Sequence, residues 1–301
     1  MGVRINTLSL LRRDFYILKT YLLARQHRPF LASFKVSYRC NLTCQQCPFF
    51  TMTGEGMTWP VALDVLDRLY QRGNRLVVFE GGEPLLWKAG GQTIHDLVRE
   101  ARKRFLSVGM TSNGLLPLDV DTDILWVSID GLRDTHNKLR GADIFDRIIK
   151  NIRESSHPKI LAHITVNNQN SSEIPALIEY LTPEVKGITI QFYYPYNKMD
   201  DLFLDFEKRS NLLDKLIQMK KSGFAIMNSI SALNALKTNT WRCVDWLVDS
   251  ANPDGTITQG CYLRGRDDID CTRCGFSPHT EISLAWQGNL QAIQAGNQIF
   301  F

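Results

Sequence analysis

Apolar residues fall into six short stretches that read as strands: 34–39, 75–79, 105–110, 124–130, 159–166 and 187–193. Phe34-Lys35-Val36-Ser37-Tyr38 alternates apolar with polar, and Leu76-Val77-Val78-Phe79 is a compact apolar run. Segments with helical periodicity, 60–72, 93–104, 142–154 and 172–181, separate most of them. This alternation predicts a parallel α/β sheet. In barrels of that kind, functional residues lie on loops at the carboxyl ends of the strands. Nearer the N-terminus, Leu8, Leu11, Phe15, Leu18 and Leu22 share one helical face, with Arg12, Lys19 and Arg25 on the other. Such a helix suits an anionic membrane surface; it equally suits a barrel bottom, with its cations in water.

Of the 301 residues, 44% are apolar and 22% charged. That composition belongs to a globular chain and excludes collagen-like, coiled-coil and disordered classes. No uncharged apolar run approaches the ~20 residues of a membrane span. Arg12 and Arg13 interrupt any signal core, so a cytoplasmic chain is expected, with peripheral membrane contact open through the first helix. The net charge of +4 is concentrated in Arg4, Arg12, Arg13, Lys19, Arg25 and Arg28, against Asp14. The rest is close to neutral, which gives no nucleic-acid-binding face.

Seven cysteines form two groups. Cys40, Cys44 and Cys47 follow the first strand; Cys243, Cys261, Cys271 and Cys274 lie towards the C-terminus. An odd count argues against a closed disulfide framework, and clustered thiols point to metal or redox chemistry. Three thiolates on one short loop can hold three corners of a cubane cluster and leave the fourth iron open. A structural zinc site wants four ligands, and no His or fourth Cys lies near this loop. Three structural or zinc thiols remain the competing reading of the motif alone.

The C-x3-C-x2-C spacing of Cys40, Cys44 and Cys47 resembles the radical S-adenosylmethionine (SAM) superfamily. The resemblance implies a partial (β/α)6 barrel and an open iron that chelates the cofactor's methionine moiety. One electron then cleaves a carbon–sulfur bond, and the 5′-deoxyadenosyl radical attacks the substrate. Gly81-Gly82-Glu83-Pro84 matches the family loop that binds the cofactor's ammonium, though a tight strand-to-helix turn has the same composition. Thr111-Ser112-Asn113-Gly114 is similar to the family's Thr-x-Asn-Gly turn, and an ordinary Asn-Gly turn looks alike. Ser128-Ile129-Asp130-Gly131, His136 and Leu139-Arg140-Gly141 resemble a stretch of members with an accessory cluster. There the Ser and Arg contact the ribose and carboxylate, roles that the resemblance carries to Ser128 and Arg140. A planar guanidinium suits a carboxylate; a surface helix-capping charge is the plainer reading. Asp130 reads as a turn residue and His136 as structural. Asn167 and Gln191, ending the fifth and sixth strands, are expected to help hold the adenosyl group. The run Phe192 to Tyr194 walls the adenine or substrate, or packs in the core. One departure stands out: Gln46 occupies a position where the family carries an aromatic or His that packs on the cofactor. Phe49 and Phe50 are the candidates to replace it.

Cys243, Cys261, Cys271 and Cys274 can ligate a second [4Fe–4S] cluster or a zinc ion, or stay unligated. Their layout resembles a reduced version of the superfamily's SPASM and twitch extensions. It is also loosely similar to the C-terminal domain of adenosylhopane-forming radical enzymes.

These readings predict an α/β chain in three parts: a basic helix over 1–30, a partial (β/α)6 TIM-like barrel over 31–225, and a small cysteine-rich cluster domain over 226–301. The expected activity is radical modification of an unactivated carbon, with a reductant such as flavodoxin or ferredoxin as partner. The substrate is a lipid or small molecule, or a peptide. Only about thirty residues precede the first strand, too few for a leader-peptide-binding domain. The alternative class is a non-catalytic iron–sulfur or zinc sensor, which has no need of a cofactor cradle.

Overall fold

The computed structural model describes residues 7–23, 26–49, 51–52, 54–196, 200–264 and 269–301. Six strands follow the expected order: β1 (Leu31–Ser37), β2 (Leu76–Gly81), then, after a two-residue-strand hairpin of β3 (Lys88–Ala89) and β4 (Gln92–Thr93), β5 (Ser107–Ser112), β6 (Ile124–Ser128), β7 (Ile160–Val166) and β8 (Gly187–Phe192). They pair in parallel, each with the next. Two further strands, β9 (Val248–Ala251) and β10 (Ile257–Gln259), extend the sheet beyond β1, so the order is β10-β9-β1-β2-β5-β6-β7-β8. β9 runs parallel to β1 and β10 antiparallel to β9.

Among the described residues no ladder joins β8 to β10, so the barrel is partial. The seam is covered by contacts instead. Phe192 N–H donates to Gly275 O at 2.9 Å, and Ile226 makes an isolated parallel bridge with Ile188.

Period-two alternation sorts side chains between two faces. Ala32, Phe34 and Val36 of β1 join Ala62, Val65, Leu66 and Leu69 of α2 (Trp59–Arg72) in the outer core. The same core takes α3 (Ile94–Arg102), α5 (Phe145–Glu154), α6 (Ile174–Leu181) and α7 (Phe206–Lys221). The alternate set, Ser33, Lys35, Ser37, Glu80, Ser128, His163, Thr165, Gln191 and Ser250, faces the lumen and makes its upper part polar. Lower down the lumen is apolar: Ile124, Trp126 and Leu161 meet Ile299 and Phe300, from the last turn of α10 (Leu290–Phe300).

Three boundaries differ from expectation for local reasons. β1 begins at Leu31 because Phe30 O already accepts Arg75 N–H and Leu76 N–H. It ends at Ser37 because Arg39 O turns to Glu83 N–H. Helix α5 starts at Phe145, since the Asn137 side chain accepts Ile144 N–H and Phe145 N–H; before it lies α4 (Arg133–Arg140), which the apolar pattern did not suggest.

The N-terminal helix α1 (Thr7–Ile17) continues as a π-helix over Leu18–Leu23. One of its faces packs against the barrel, as the barrel-bottom reading expects. Tyr16 donates to Gly73 O at 2.8 Å and lies under Arg75, and Arg13 reaches Asn297 and the Phe301 ring, so this face covers the barrel's bottom. The opposite face leaves Leu11 62%, Phe15 68% and Leu18 46% exposed, flanked by exposed Arg12 and Lys19. The Leu8 and Leu22 side chains and Arg25 lie outside the described residues. Among the described helices none is long and apolar enough to cross a membrane.

Candidate active site

The cysteine loop leaves β1 at the barrel's top and is lashed down from both sides. Asn113 Nδ2 donates to Asn41 Oδ1 at 2.7 Å and reaches Cys40 Sγ at 3.8 Å. On the other side, Arg140 reaches Cys44 Sγ at 3.8 Å, and Gln45 N–H donates to Leu139 O at 2.9 Å. Phe49 N–H donates to Cys47 Sγ at 3.4 Å.

The glycines of the second loop serve this packing. Gly82 N–H donates to Ser37 O and Glu83 N–H to Arg39 O, at 2.8 and 2.9 Å. A Cβ on Gly82 would lie 2.2 Å from Arg39 O, and Gly81 has φ 128°. Only glycine lets these backbones touch. Glu83 is buried and binds inward: it accepts Leu85 N–H at 3.1 Å, the Ser112 hydroxyl at 3.0 Å and Asn113 N–H at 2.7 Å. It staples this loop to the Thr111–Gly114 turn, and Pro84 opens the short 3-10 turn that follows. Burial, the largest influence, raises the Glu83 carboxyl above its ordinary range.

Asp130, which reads as a turn residue in the sequence, is the hub of the third side. It is fully buried and pairs with Arg140 at 2.6 Å. It also accepts the Gln46 amide at 2.5 Å and Thr165 N–H at 2.9 Å. Asp130 N–H donates to His136 Nδ1 at 3.1 Å, and Asn170 donates to Asp130 O at 2.6 Å. Gln46 therefore replaces the usual aromatic with an anchor to the hub. Phe49 stacks on Tyr38 at 5.5 Å and meets Tyr262 at 5.9 Å; Phe50 lies outside the described residues. The only legible signal for Asp130 was its place directly after a strand, before Gly131.

Asn167 is buried and accepts Gln169 N–H and Asn170 N–H, while its Nδ2 has no partner. Gln191 donates to Thr165 Oγ1 at 3.3 Å. Ser128 ends β6 opposite His163. Thus Gly81, Gly82, Glu83, Asn113 and Arg140 all meet the cysteine loop or its supports, and Ser128, Asn167 and Gln191 line the neighbouring strand ends.

Between the two cysteine groups, Lys35 is buried with its ammonium 2.8 Å from Ser250 Oγ, 3.0 Å from Ser33 Oγ and 3.3 Å from Glu80. The Phe49 and Tyr262 rings flank it at 6.0 and 5.4 Å. Among the described residues no group of three or more His, Cys, Asp or Glu side chains is arranged around a single metal ion. In a cubane, each cysteine ligates its own iron. The donor set fits such a group chemically. Burial pushes the Cys44 thiol up to about 11 and raises Cys40, so a thiolate here requires a neighbouring cation. Arg140 Nε and Gln46 Oε1 are buried beside this loop without partners.

Residues 34–181 match the family model of the radical SAM superfamily. That stretch carries a radical SAM domain. Members of that superfamily use a [4Fe–4S] cluster and SAM. Its sequence is 26% identical over 227 residues to the Fe-coproporphyrin III synthase of Methanosarcina barkeri, covering 68% of this chain and 55% of that one. It is 28% identical over 169 residues to the sporulation killing factor maturation protein SkfB of Bacillus subtilis, covering 50% and 39%. The chain thus spans about half the length, or less, of these curated relatives. Among solved structures, Streptococcus suis SuiB bound to precursor peptide SuiA superposes with a TM-score of 0.65 at 14% identity, covering 89% of this chain and 68% of that one. anSMEcpe with bound AdoMet gives 0.61 at 17% identity, covering 79% and 75%. These superpositions agree with the partial barrel described above.

Proposed function

We propose that the chain is a radical SAM enzyme that binds its catalytic [4Fe–4S] cluster through Cys40, Cys44 and Cys47, and SAM through the strand-end loops beside them. The observation that carries this is the convergence of Asn113, Arg140 and the Gly82–Glu83 backbone on one cysteine loop. When bound and reduced by one electron, the cluster supplies the chemistry that splits SAM into methionine and a 5′-deoxyadenosyl radical. That radical would take a hydrogen atom from an unactivated carbon of the substrate, or add to an unsaturated one. Arg140, held by Asp130, presents its remaining N–H groups towards the cysteine loop and the cofactor carboxylate. Ser128, Asn167 and Gln191 orient the adenosyl portion. The substrate enters the polar lumen lined by Ser33, Lys35, Glu80 and His163.

The lipid or small-molecule reading draws on the exposed apolar face of α1, which suits a cytoplasmic chain resting on a bilayer. The peptide reading draws on SkfB, named for a maturation role. A one-electron carrier of the flavodoxin or ferredoxin type supplies the reductant. An open groove next to Arg39, lined by Leu85, Leu86, Leu116 and Pro117 with Arg39, Lys88 and His95 against the single carboxylate of Asp119, suits an acidic carrier. We assign 31–225 to the barrel and 226–301 to the accessory unit, with a second [4Fe–4S] cluster on Cys243, Cys261, Cys271 and Cys274.

The test is 5′-deoxyadenosine formation by anaerobically reconstituted, reduced protein, with and without lipid extract. Cys44→Ser should abolish it. Full cleavage by that variant overturns the assignment of the catalytic cluster to Cys40, Cys44 and Cys47; no cleavage by intact, cluster-loaded protein returns the chain to the metal-binding sensor class. Stimulation by lipid extract selects the lipid reading.

A further inference from the structure

Arg209, in the first turn of α7, has no solvent exposure. Its guanidinium lies 4.3 Å from the Phe192 ring centre and 5.6 Å from that of Phe206. One amino group donates to Cys274 O at 3.1 Å, the other to Asn239 Oδ1 at 3.3 Å, and Nε has no partner. Among the described residues no carboxylate forms an ion pair with it. A buried guanidinium cannot shed its charge at ordinary pH, so it needs an anion close by. Its backbone partner, Cys274, is one of the four C-terminal thiols. A protonated thiol supplies no charge. Four cysteine thiolates around a metal do, because a zinc or [4Fe–4S] centre with four such ligands is a net anion.

The surrounding backbone is built for the same loop. Asn239, the one non-glycine with positive φ among the described residues (51°), caps α8 (Ile230–Thr238). Its amide donates to Thr272 O at 2.9 Å and also to Cys274 O. Gly275 lies so close to β8 that a Cβ would sit 2.3 Å from Phe192 O. Arg209, Asn239 and Gly275 thus fix the Cys271–Cys274 pair against α7, α8 and β8.

We infer that Arg209 is the built-in counter-ion of an anionic metal–thiolate centre formed by Cys243, Cys261, Cys271 and Cys274, and positions the Cys274 end of that ligand set. This rests on the accessory-centre assignment proposed above, and not on SAM cleavage. It gives Arg209 opposite effects in the two states of the protein. Without metal its charge is uncompensated and destabilising. With metal it holds the centre.

The test uses the full chain carrying Cys40→Ser, Cys44→Ser and Cys47→Ser, so that metal bound is metal at the accessory site. Arg209→Met keeps the bulk and removes the charge; Arg209→Lys keeps the charge and loses the fork. Each protein is loaded with iron and sulfide, or separately with zinc, and challenged with a chelator. Each is also melted metal-free. Arg209→Met should melt higher than its parent without metal, yet release metal at least tenfold faster. Arg209→Lys should retain metal close to the parent. A lower metal-free melting temperature for Arg209→Met marks a purely structural arginine and overturns the inference. Unchanged metal release, or no metal bound by the parent, overturns it equally. Because the first three cysteines are absent, the result stands apart from any failure of radical chemistry.

Discussion

Asp130 concentrates more of the site's energetics than any side chain the motifs named. It neutralises Arg140, holds Gln46 and caps Thr165, all from a position without solvent. Asp130→Asn leaves Arg140 part-buried and unpaired beside Cys44, at a cost of about 3–5 kcal/mol. Gln46→Met removes one hydrogen bond and should cost only about 1–2 kcal/mol. Denaturant unfolding of the metal-free protein separates the two, and equal effects would remove Asp130 from its central place. A pH effect belongs at the same scale. Burial, the largest influence on each, holds His163 and His279 down to about 4 and His136 down to about 3. Each folded-state value lies below the ordinary 6.5, so the neutral imidazole is the native form. The stability these groups contribute is complete above 6.5 and drains away as the pH falls through about 4. Glu281, raised to about 7 chiefly by burial, works in the other direction: its contribution is complete below the ordinary carboxyl value of 4.5 and is lost as the pH rises through 7. His163→Gln should therefore flatten the acid limb of a melting-temperature profile, while Glu281→Gln should flatten the limb between 4.5 and 7. A profile unchanged by either substitution contradicts the assignment.

At the scale of elements, the loops depend on glycine where one backbone lies on another. Gly82→Ala would set a methyl 2.2 Å from Arg39 O, and Gly275→Ala one 2.3 Å from Phe192 O. Neither obstacle is a flexible side chain, so each substitution should cost about 2–4 kcal/mol. They differ in consequence: Gly82→Ala should lower iron bound at the first cysteine loop, and Gly275→Ala iron bound at the second. Iron analysis of each variant in a background lacking the other cysteine group checks this. Much of this level was legible in the sequence. Strand order, the cysteine loop and the Gly81–Pro84 turn are short-range patterns, and their spacing survives folding. What could not be read depends on long-range partners. β9 is too short to announce itself and pairs along the edge that β1 offers. Glu83 was legible as a loop carboxylate, but its inward hydrogen bonds to Ser112 and Asn113 come from a strand end some thirty residues away. Arg209 gave no signal at all, since nothing in a helix's first turn marks one cation for burial.

The whole molecule is two-ended. Its top gathers the cysteine loops, and its bottom is closed by α1 and by the C-terminal residues of α10. α1 spends one face on that closure through Tyr16 and Arg13, which leaves Leu11, Phe15 and Leu18 outward beside Arg12 and Lys19. An apolar stripe with adjacent cations matches the boundary of an anionic bilayer, where side chains bury among acyl chains and ammonium and guanidinium groups meet headgroups. Immersing Phe15 and Leu18 to about half their depth is worth roughly 2 kcal/mol together, so Phe15→Ser with Leu18→Ser should weaken binding to phosphatidylserine vesicles roughly thirtyfold. Arg12→Gln with Lys19→Gln should weaken it by a similar factor at low salt and by much less at high salt, because their attraction is screened. Neither pair contacts the described site, so cofactor cleavage in detergent-free solution should stay at the parent level. Vesicle co-sedimentation at two ionic strengths decides the matter. If the parent protein stays in the supernatant, or if the serine pair binds as well as the parent, the exposed stripe has another occupant and the lipid reading of the substrate loses its structural support.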